Sequence, residues 1–552
     1  MKRKALKISI LSLAVAAIIG GGIFATRNDF GLGRNMEIMI NLMRVLSSEF
    51  VDEIDPDKMM KDGADGITSQ LDPYTMFIPE EEVADFDFNS TGRYGGIGSS
   101  IRKSGDYIVI AGPYQGSPAD EAGLNVGDKI ISVDGKEMRG VNTSDVSKVL
   151  RGEPNTVVTL VVEKLYTGKQ ETVKLRRRLI SVPSIPYVGY MAEGVGYICH
   201  TDFTDNCYES MRAAILHLQK SGELKSLIID YRSNGGGLLS EAVDILSLFV
   251  PKGSMVIESR GRKGTSQKYY TRHEPLLPDT PLVLLIDNGS ASAAEIVTGA
   301  LQDYDRAVVI GQRSYGKGLV QSVAPLGYNT KVKFTTAKYY LPSGRCIQAL
   351  NYKQNGKAEE VPDSLIKEFK TKGGRKVYDG GGIMPDKSTK IEYSNNFLLS
   401  IYWSGIIDDY SDEYMKANHT KSIDVKSFSI TKGDYAEFKK MAMKTNFPYK
   451  SASRQALEKL RSSLEKERNT SLEQALDTID KGLKDDKESC LNSYSKEITK
   501  LINREIVLRY AYSAGVIAHT MTQDNDVKEA INILNDSAEY KRIITKQDTA
   551  RK

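Results

Sequence analysis

The chain has 552 residues, 40% hydrophobic and 26% charged, so it can bury substantial cores in several domains and does not have the composition of a disordered polypeptide. Lys and Arg total 75 against 71 Asp and Glu, a formal charge of +4 that gives no electrostatic case for a nucleic-acid partner. Cys199, Cys207, Cys346 and Cys490 are too few and too scattered to staple such a fold, lack the paired spacing of a zinc or redox site, and read as free structural thiols.

Lys2, Arg3, Lys4 and Lys7 precede a mostly apolar run from Ile8 to Ala25, followed by Arg27 and Asp29. A basic start before an apolar stretch nearly long enough to cross a bilayer reads as a signal sequence or single-span anchor over 1–27. The rest of the chain is then expected in a bacterial cell envelope, on the periplasmic side, exported or anchored in the inner membrane. No cysteine follows the run, which excludes lipoprotein anchoring. Periodicity predicts a helix from Met36 to Phe50, and "DPYTMFIPEEE" from Asp72 predicts a turn entering a short acidic helix. Residues 28–88 are therefore expected to form an N-terminal helical region.

Glycine becomes dense at "STGRYGGIGSSI", and from 89 to 177 the pattern is dominated by short strands: "DYIVIAG", "GDKIISVDG", "NTVVTLVVEK" and "ETVKLRRRLI", with one helix near Ser144 to Leu150. The succession of Gly-rich segment, "GSPADEAGL", "GDKIISVDG" and "VLRG" resembles a PDZ domain of the bacterial protease type. In such domains a Gly-rich loop presents backbone N–H groups to a peptide's terminal carboxylate while the peptide adds as a strand to a sheet edge. Here that loop is Tyr94, Gly95, Gly96, Ile97 and Gly98.

From 178 to 387 short apolar strands alternate with helical patterns: "VGYICHTDF", a helix from Cys207 to Gln219, "KSLIID" ending in "YRSNGGG", a helix from Leu238 to Val250, then "PLVLLI", "RAVVIG" and "VKFTTAKYY". This predicts an α/β core with buried strands and functional loops at the strand ends. One such end carries Ser290 and Ser292. Ser290 is expected as a helix N-cap. Ser292 lies between alanines, open to a substrate, with the Ala293 N–H positioned for developing negative charge. None of the five histidines suits as a base; His200, in an alternating strand, reads as structural.

Lys317, in the glycine-bounded "GQRSYGKG", can serve as the base if burial disfavours its charge, a shift toward neutral pH that needs about 4 to 5 kcal/mol. The same segment nearly spells a phosphate-binding loop. Gly318 stands where a magnesium-binding hydroxyl is required, however, and the extended-looking "LVQSVAP" follows where a helix is needed. The glycines at 311, 316 and 318 likewise argue against a helix that would pair Ser314 with Lys317.

From about Met36 to Asp386 the chain resembles the carboxyl-terminal processing proteases, or tail-specific proteases, serine endopeptidases with a Ser-Lys pair. The motifs are "GSASAAEI", "SYGKGLVQ", "YRSNGGG", "AKYYLPSGRCIQ" and "GGGIMPD", with 25 residues from Ser292 to Lys317. The resemblance implies a multidomain α/β protein: a ClpP/crotonase-like protease core with an inserted PDZ-like domain and helical N- and C-terminal regions. It implies Ser292 as nucleophile, Lys317 as general base and Gln321 as the residue orienting the lysine. It further implies an oxyanion hole from Ala293 with Gly236 or Gly237, and it matches Asp303 to a carboxylate sometimes assigned to the catalytic group; a supporting or structural role is expected for Asp303 because a nearby ionised carboxylate would raise the lysine pKa, and no cofactor or metal is expected. Ala294 and Gly235 depart from the serine and proline often found at those positions.

The segment from Asn351 to Gly380 is polar and basic, as expected of a surface excursion. Residues 388–552 have helix-compatible periodicity, which suits an intrachain scaffold, a homo-oligomer contact or a site for a regulatory protein. The expected partners are protein or peptide substrates with free C-termini, together with the bacterial membrane through the N-terminus. The expected activity is ATP-independent endopeptidase processing near apolar C-terminal tails. A catalytically degenerate PDZ scaffold that only binds C-termini is the alternative.

Overall fold

The computed structural model describes residues 31–352, 358–390, 395–447, 449–483 and 486–545. The expected signal or anchor segment lies outside them, and no described helix is long and apolar enough to cross a membrane. The chain divides into two units, the first comprising the described part of Met1–Pro79 with Val323–Phe334.

In that first unit α1 (residues 31–49) precedes α2 (Pro56–Thr68) and β1 (Met76–Ile78). Asp55 caps α2, its Oδ1 accepting from the amides of Asp57 at 2.9 Å and Lys58 at 3.2 Å. Asp72 then turns the chain by accepting from the Tyr74 and Thr75 amides, and β1 pairs antiparallel with Lys331–Lys333. The N-terminal region is thus not purely helical: a three-residue strand is too short to show alternation and is fixed by a partner far away in sequence.

In the second unit, α3 (Glu80–Thr91) leads into β2 (Arg93–Gly96), β3 (Ser99–Ser104), β4 (Tyr107–Pro113), α4 (Pro118–Glu121), β5 (Lys129–Val133) and β6 (Lys136–Glu137). Then come α5 (Thr143–Leu150), β7 (Val157–Glu163), β8 (Gln170–Arg176) and β9 (Arg178–Ser181). β3, β4, β5, β7 and β8 make an antiparallel sheet in that order. Val158, Leu160 and Val162 alternate inward on β7 and pack with Ile108, Ile110, Val146 and Leu150. Ser117 caps α4 and Asn142 caps α5.

The core follows as β10 (Tyr187–Ala192), β11 (Val195–Cys199), α6 (Cys207–Ser221), β12 (Ser226–Asp230), α7 (Leu239–Leu246), β13 (Met255–Gly261) and β14 (Ser266–Tyr270). It continues as β15 (Leu282–Ile286), α8 (Ala293–Asp303), β16 (Ala307–Gly311), β17 (Leu319–Gly327) and β18 (Thr330–Tyr340). The polar excursion forms two ribbons, β19 (Leu350–Tyr352) with β20 (Ala358–Glu360) and β21 (Glu368–Lys370) with β22 (Lys376–Tyr378), before β23 (Lys387–Ser388).

The main sheet has the order β10-β11-β12-β15-β16-β23 and is parallel except at the β10 edge. Its central strands β12, β15 and β16 are almost wholly apolar because both faces are covered. Ile198, Leu227, Ile229, Leu284 and Val309 face α6, α7 and α8, whereas Tyr197, Ile228, Val283, Leu285 and Val308 face the other way.

What covers that second face comes from the end of the chain. The C-terminal helices are α9 (Asn396–Trp403), α10 (Ile406–Asn418), α11 (Lys432–Lys444), α12 (Ala452–Lys466), α13 (Glu473–Gly482), α14 (Lys487–Ser493), α15 (Ser495–Met521), α16 (Asn525–Asn535) and α17 (Ser537–Thr545). Phe397, Ile401, Phe438, Leu491, Ile498 and Ile502 give this region its own core. Val527, Ala530, Ile533 and Ile543 instead lie on the main sheet, and the Tyr540 hydroxyl donates to the Leu282 carbonyl at 3.2 Å and accepts from its amide at 3.0 Å. A boundary at 387 therefore does not isolate the core. Truncating Ile533 to alanine should cost about 2 to 4 kcal/mol in denaturant unfolding, whereas Ile479→Ala, at a site 51% exposed, should stay within about 0.5 kcal/mol.

Candidate active site

Parallel strands aim their C-terminal ends at one edge of the sheet, where β12, β15 and β16 release three loops. After β15, Asp287 to Ser290 forms a turn: the Ser290 amide donates to the Asp287 carbonyl at 3.0 Å. Ser290 Oγ accepts from the Asp287 amide at 2.9 Å and donates to the Tyr231 carbonyl at 2.8 Å. Ser290 is thus a buried turn residue and not the helix cap, a correction that follows from its partner lying just beyond another strand. The N-cap of α8 is Ser292 itself, half-buried, with φ 55° and ψ −114°. A serine at this positive φ is strained by roughly 1 to 3 kcal/mol and persists only where its surroundings over-determine it.

Glu295, one turn into α8, supplies that determination. Its Oε2 accepts from the Ser292 amide at 2.8 Å and the Lys317 amide at 2.9 Å. Its Oε1 accepts from the Gly316 amide at 2.7 Å and Ser314 Oγ at 2.6 Å. Tyr339, on β18, donates from its hydroxyl toward the carbonyl oxygens of Lys317 and, at 3.4 Å, Ser292. One side chain thus grips the amides of both residues and another their carbonyls. Ser314, engaged by Glu295 and by the Ile383 amide at 2.6 Å, is committed to this scaffold.

The loop after β12 closes over the same point. Gly236 has φ 93°, and a Cβ there would stand 2.7 Å from both the Ala291 carbonyl oxygen and Ser292 Cβ, and 2.8 Å from the Ala293 nitrogen. No other residue fits. The Gly236 amide donates to Asn234 Oδ1 at 2.9 Å, and Asn234 Nδ2 donates to the His200 carbonyl at 2.8 Å. Gly237, with φ 146°, packs on the Phe203 carbonyl. His200 is buried between Phe203 and Tyr231, and burial lowers its pKa to about 3, so it stays neutral and structural.

Lys317 is half-buried in the loop between β16 and β17, with no helix following it. Gln321 lies on β17 and donates from Nε2 to Thr335 Oγ1 at 3.4 Å. Asp303 closes the far end of α8, roughly 15 Å along the helix from Ser292, and pairs with buried Arg345 at 2.8 Å while accepting from the Ser343 amide at 2.9 Å. The structure thus brings Ser292, Ala293, Gly236 and the Lys317 backbone together and separates Asp303 from them. The roles of Glu295 and Tyr339 were missed in the sequence. Glu295, three residues after a serine at a helix start, carried a readable capping-box signal, whereas Tyr339 carried none.

The Gly-rich segment of the small domain also differs from expectation. Gly95 and Gly96 form no open loop; they pair as β2 with Leu179 and Arg178 of β9, and a Cβ on Gly95 would stand 2.1 Å from the Gly152 carbonyl. Tyr94 and Ile97 nevertheless line a groove of about 410 Å³ with Ile101, Ser147, Leu150 and Arg151. Gly98, φ 76°, turns the chain into β3 against Ser117.

Burial pushes the Glu295 carboxyl up to about 7, against the hydrogen bonds it accepts, which pull it down. Between about pH 4.5 and 7 this group is ionised in the unfolded chain but still protonated in the fold. Stability should therefore fall across that window with a slope approaching 1.4 kcal/mol per pH unit. Denaturant unfolding from pH 4 to 8 checks this: Glu295→Gln should flatten the slope, and an unchanged slope would refute the assignment.

The chain matches Peptidase family S41 over residues 194–355, a PDZ domain over 109–164, and the description "Probable PDZ-protease, C-terminal helical domain" over 398–534. It is 32% identical to the carboxy-terminal-processing protease of Bartonella bacilliformis over 343 residues, 61% of this chain and 78% of that protein. It is 34% identical to a probable CtpA-like serine protease of Staphylococcus aureus over 353 residues, 62% of this chain and 70% of that one. The photosystem II D1 C-terminal processing protease aligns over 58% of this chain and 84% of its own at 27% identity and a TM-score of 0.33. With its PDZ domain, S41 core and C-terminal helical domain, the chain belongs to the carboxy-terminal-processing proteases of peptidase family S41.

Proposed function

We propose that the protein is a serine endopeptidase working through Ser292 and Lys317 on substrates captured by their C-terminal tails. The observation that carries this reading is the single carboxylate of Glu295 holding the Ser292 and Lys317 amides at 2.8 and 2.9 Å. Two residues from separate loops are locked together at the backbone, which is the pre-organisation that a nucleophile and its base require.

In this mechanism Ser292 Oγ attacks the scissile carbonyl as Lys317 Nζ takes its proton. The oxyanion is held by backbone amides, the lysine returns the proton to the leaving amine, and water then releases the acyl group. Ala293 supplies one amide. The Gly236 amide is already given to Asn234, so Gly237 is the second donor. With its amide nitrogen engaged by Thr335, Gln321 is left its carbonyl oxygen to accept from the lysine. Glu295 and Tyr339 act as positioning residues. Asp303, paired with Arg345 at the far end of α8, supports the fold and not the chemistry.

Tail recognition belongs to the groove beside Ile97, Ile101 and Leu150, whose apolar floor suits a terminal aliphatic side chain. Arg151, at its rim, pairs with Asp85 and stacks on Phe88 and Tyr94.

Two measurements test these assignments. Ser292→Ala should abolish cleavage of an unfolded reporter with a free C-terminus while the variant still folds cooperatively, and Lys317→Arg should lower kcat by at least about 10³-fold because its guanidinium cannot yield a neutral base. A folded Ser292→Ala variant with normal turnover would end the reading. Peptides ending in a free apolar residue should bind at least about tenfold more tightly than their C-terminal amides, since the carboxylate adds charge-assisted hydrogen bonds. Equal affinity in calorimetry would remove tail recognition while leaving the chemistry untouched.

A further inference from the structure

The loop that arches over Ser292 is tied to the last helices of the chain. Arg232, near its start, is 18% exposed and engages three carboxylates. Its Nε and Nη2 bind Asp230 at 2.7 to 3.2 Å, and its Nη1 reaches Asp524 at 2.8 Å and Asp526 at 3.2 Å. Asp230 ends β12 and accepts from the Tyr197 hydroxyl at 2.7 Å, so it belongs to the core, whereas Asp524 and Asp526 introduce α16 in the helical domain.

These two aspartates are rigidly carried. Asp524 caps α16, its Oδ1 accepting from the Val527 amide at 2.9 Å while Oδ2 faces Arg232. α16 is seated on the sheet through Val527, Ala530 and Ile533. The preceding helix is fixed at both ends of its final segment. At Tyr512, φ 53° inside α15, the helix kinks and the hydroxyl donates to Asp120 of the PDZ domain at 3.0 Å; at Met521 the sulfur lies 3.4 Å from Arg232 Nη2.

The residue after Arg232 is under backbone strain. Ser233 has φ 59°, a left-handed conformation that the flanking contacts must hold. On one side Asp287 accepts from the Ser233 amide at 2.8 Å and from its hydroxyl at 3.2 Å; on the other the Arg232 tether holds the preceding residue. If the tether loosens, Ser233 can relax toward negative φ, which re-aims every amide after it, Gly236 and Gly237 included. An arginine bound to three acids is also ill suited to mere stabilisation, because a partly exposed pair contributes little energy whereas its geometry is specific.

We infer that Asp524 and Asp526 are positioning residues for catalysis: through Arg232 they hold the strained turn at Ser233, and thereby aim the Gly237 amide at the oxyanion formed over Ser292. The helical domain is in this sense part of the protease site. The inference rests on Ser292 as nucleophile, which Ser292→Ala tests in parallel.

The test uses the full chain with Asp524→Asn and Asp526→Asn together. Asparagine caps a helix as well as aspartate does, so α16 keeps its start and only the charge is lost. Misaimed donors cost less than deleted ones, so kcat should fall about tenfold with KM within about twofold. A peptide boronate, which mimics the tetrahedral state, should lose affinity by a similar factor while a product peptide binds as before. Adding these changes to Arg232→Gln should lower kcat no further, because both act through one contact. Wild-type kcat in the folded double variant overturns the inference, as does a loss that tracks the folded fraction in thermal melts, or full additivity with Arg232→Gln. Should the double variant fail to fold, Asp526→Asn alone, which leaves the cap untouched, takes its place: a fall in kcat at unchanged KM supports the tether, and wild-type kcat overturns it. Loss of cleavage in Ser292→Ala with normal cleavage in the aspartate variants would reject the tether alone.

Discussion

A buried carboxyl group held by hydrogen bonds ties together the loops that leave the main sheet. Glu295 is sealed from solvent at the start of α8, and its four described donors are three backbone amides and one hydroxyl. Such a group keeps its place by hydrogen bonding in fixed directions, which a point charge would not impose. Because two of the amides come from neighbouring residues of one loop and the third from the serine, the ends of β15 and β16 are joined above the sheet as well as within it. Tyr339 reaches the same two residues from β18, so that strand contributes to the same lock.

The domains around that lock are connected by polar contacts as well as by burial. Arg102 of the PDZ sheet reaches Asp408 of α10 at 2.8 Å, and Tyr166 stacks on His419 with ring centroids 4.4 Å apart. Fully buried Arg509 gathers Asp408, Asp412 and Glu505, so the acidic face of α10 is neutralised where it meets the PDZ domain. An arginine placed there must be paired, since an isolated buried charge would cost several kcal/mol. The pairing fixes which face of α10 the PDZ domain meets.

What was legible in the sequence follows from how local each signal is. Leu282–Ile286 and Ala307–Gly311 could be read as buried strands because an unbroken apolar run has few alternatives, and Ser292 stood out at the strand-helix junction. The same junction misled at Ser290, since a capping serine and a turn serine look alike until the partner, the Tyr231 carbonyl, is known. Gly95 and Gly96 suggested an open loop, but a glycine needed for close approach to Gly152 gives the same letter. The edge strand β10 and the β13–β14 hairpin were not seen, being half-polar segments whose pairing is decided by neighbours. Nothing in "TQDND" announces a link to Arg232, because the contact spans almost three hundred residues.

That span has a consequence for how the protein comes into being. Residues 525–545 complete the second face of a sheet whose strands were finished by residue 388. On the ribosome the core strands must wait, with one apolar face bare, until the final helices emerge. Tyr197, Val283 and Val308 stay unshielded over that interval, and Arg232 has only Asp230 to hold it. A chain interrupted before residue 525 would carry Ser292 on a sheet with one apolar face uncovered.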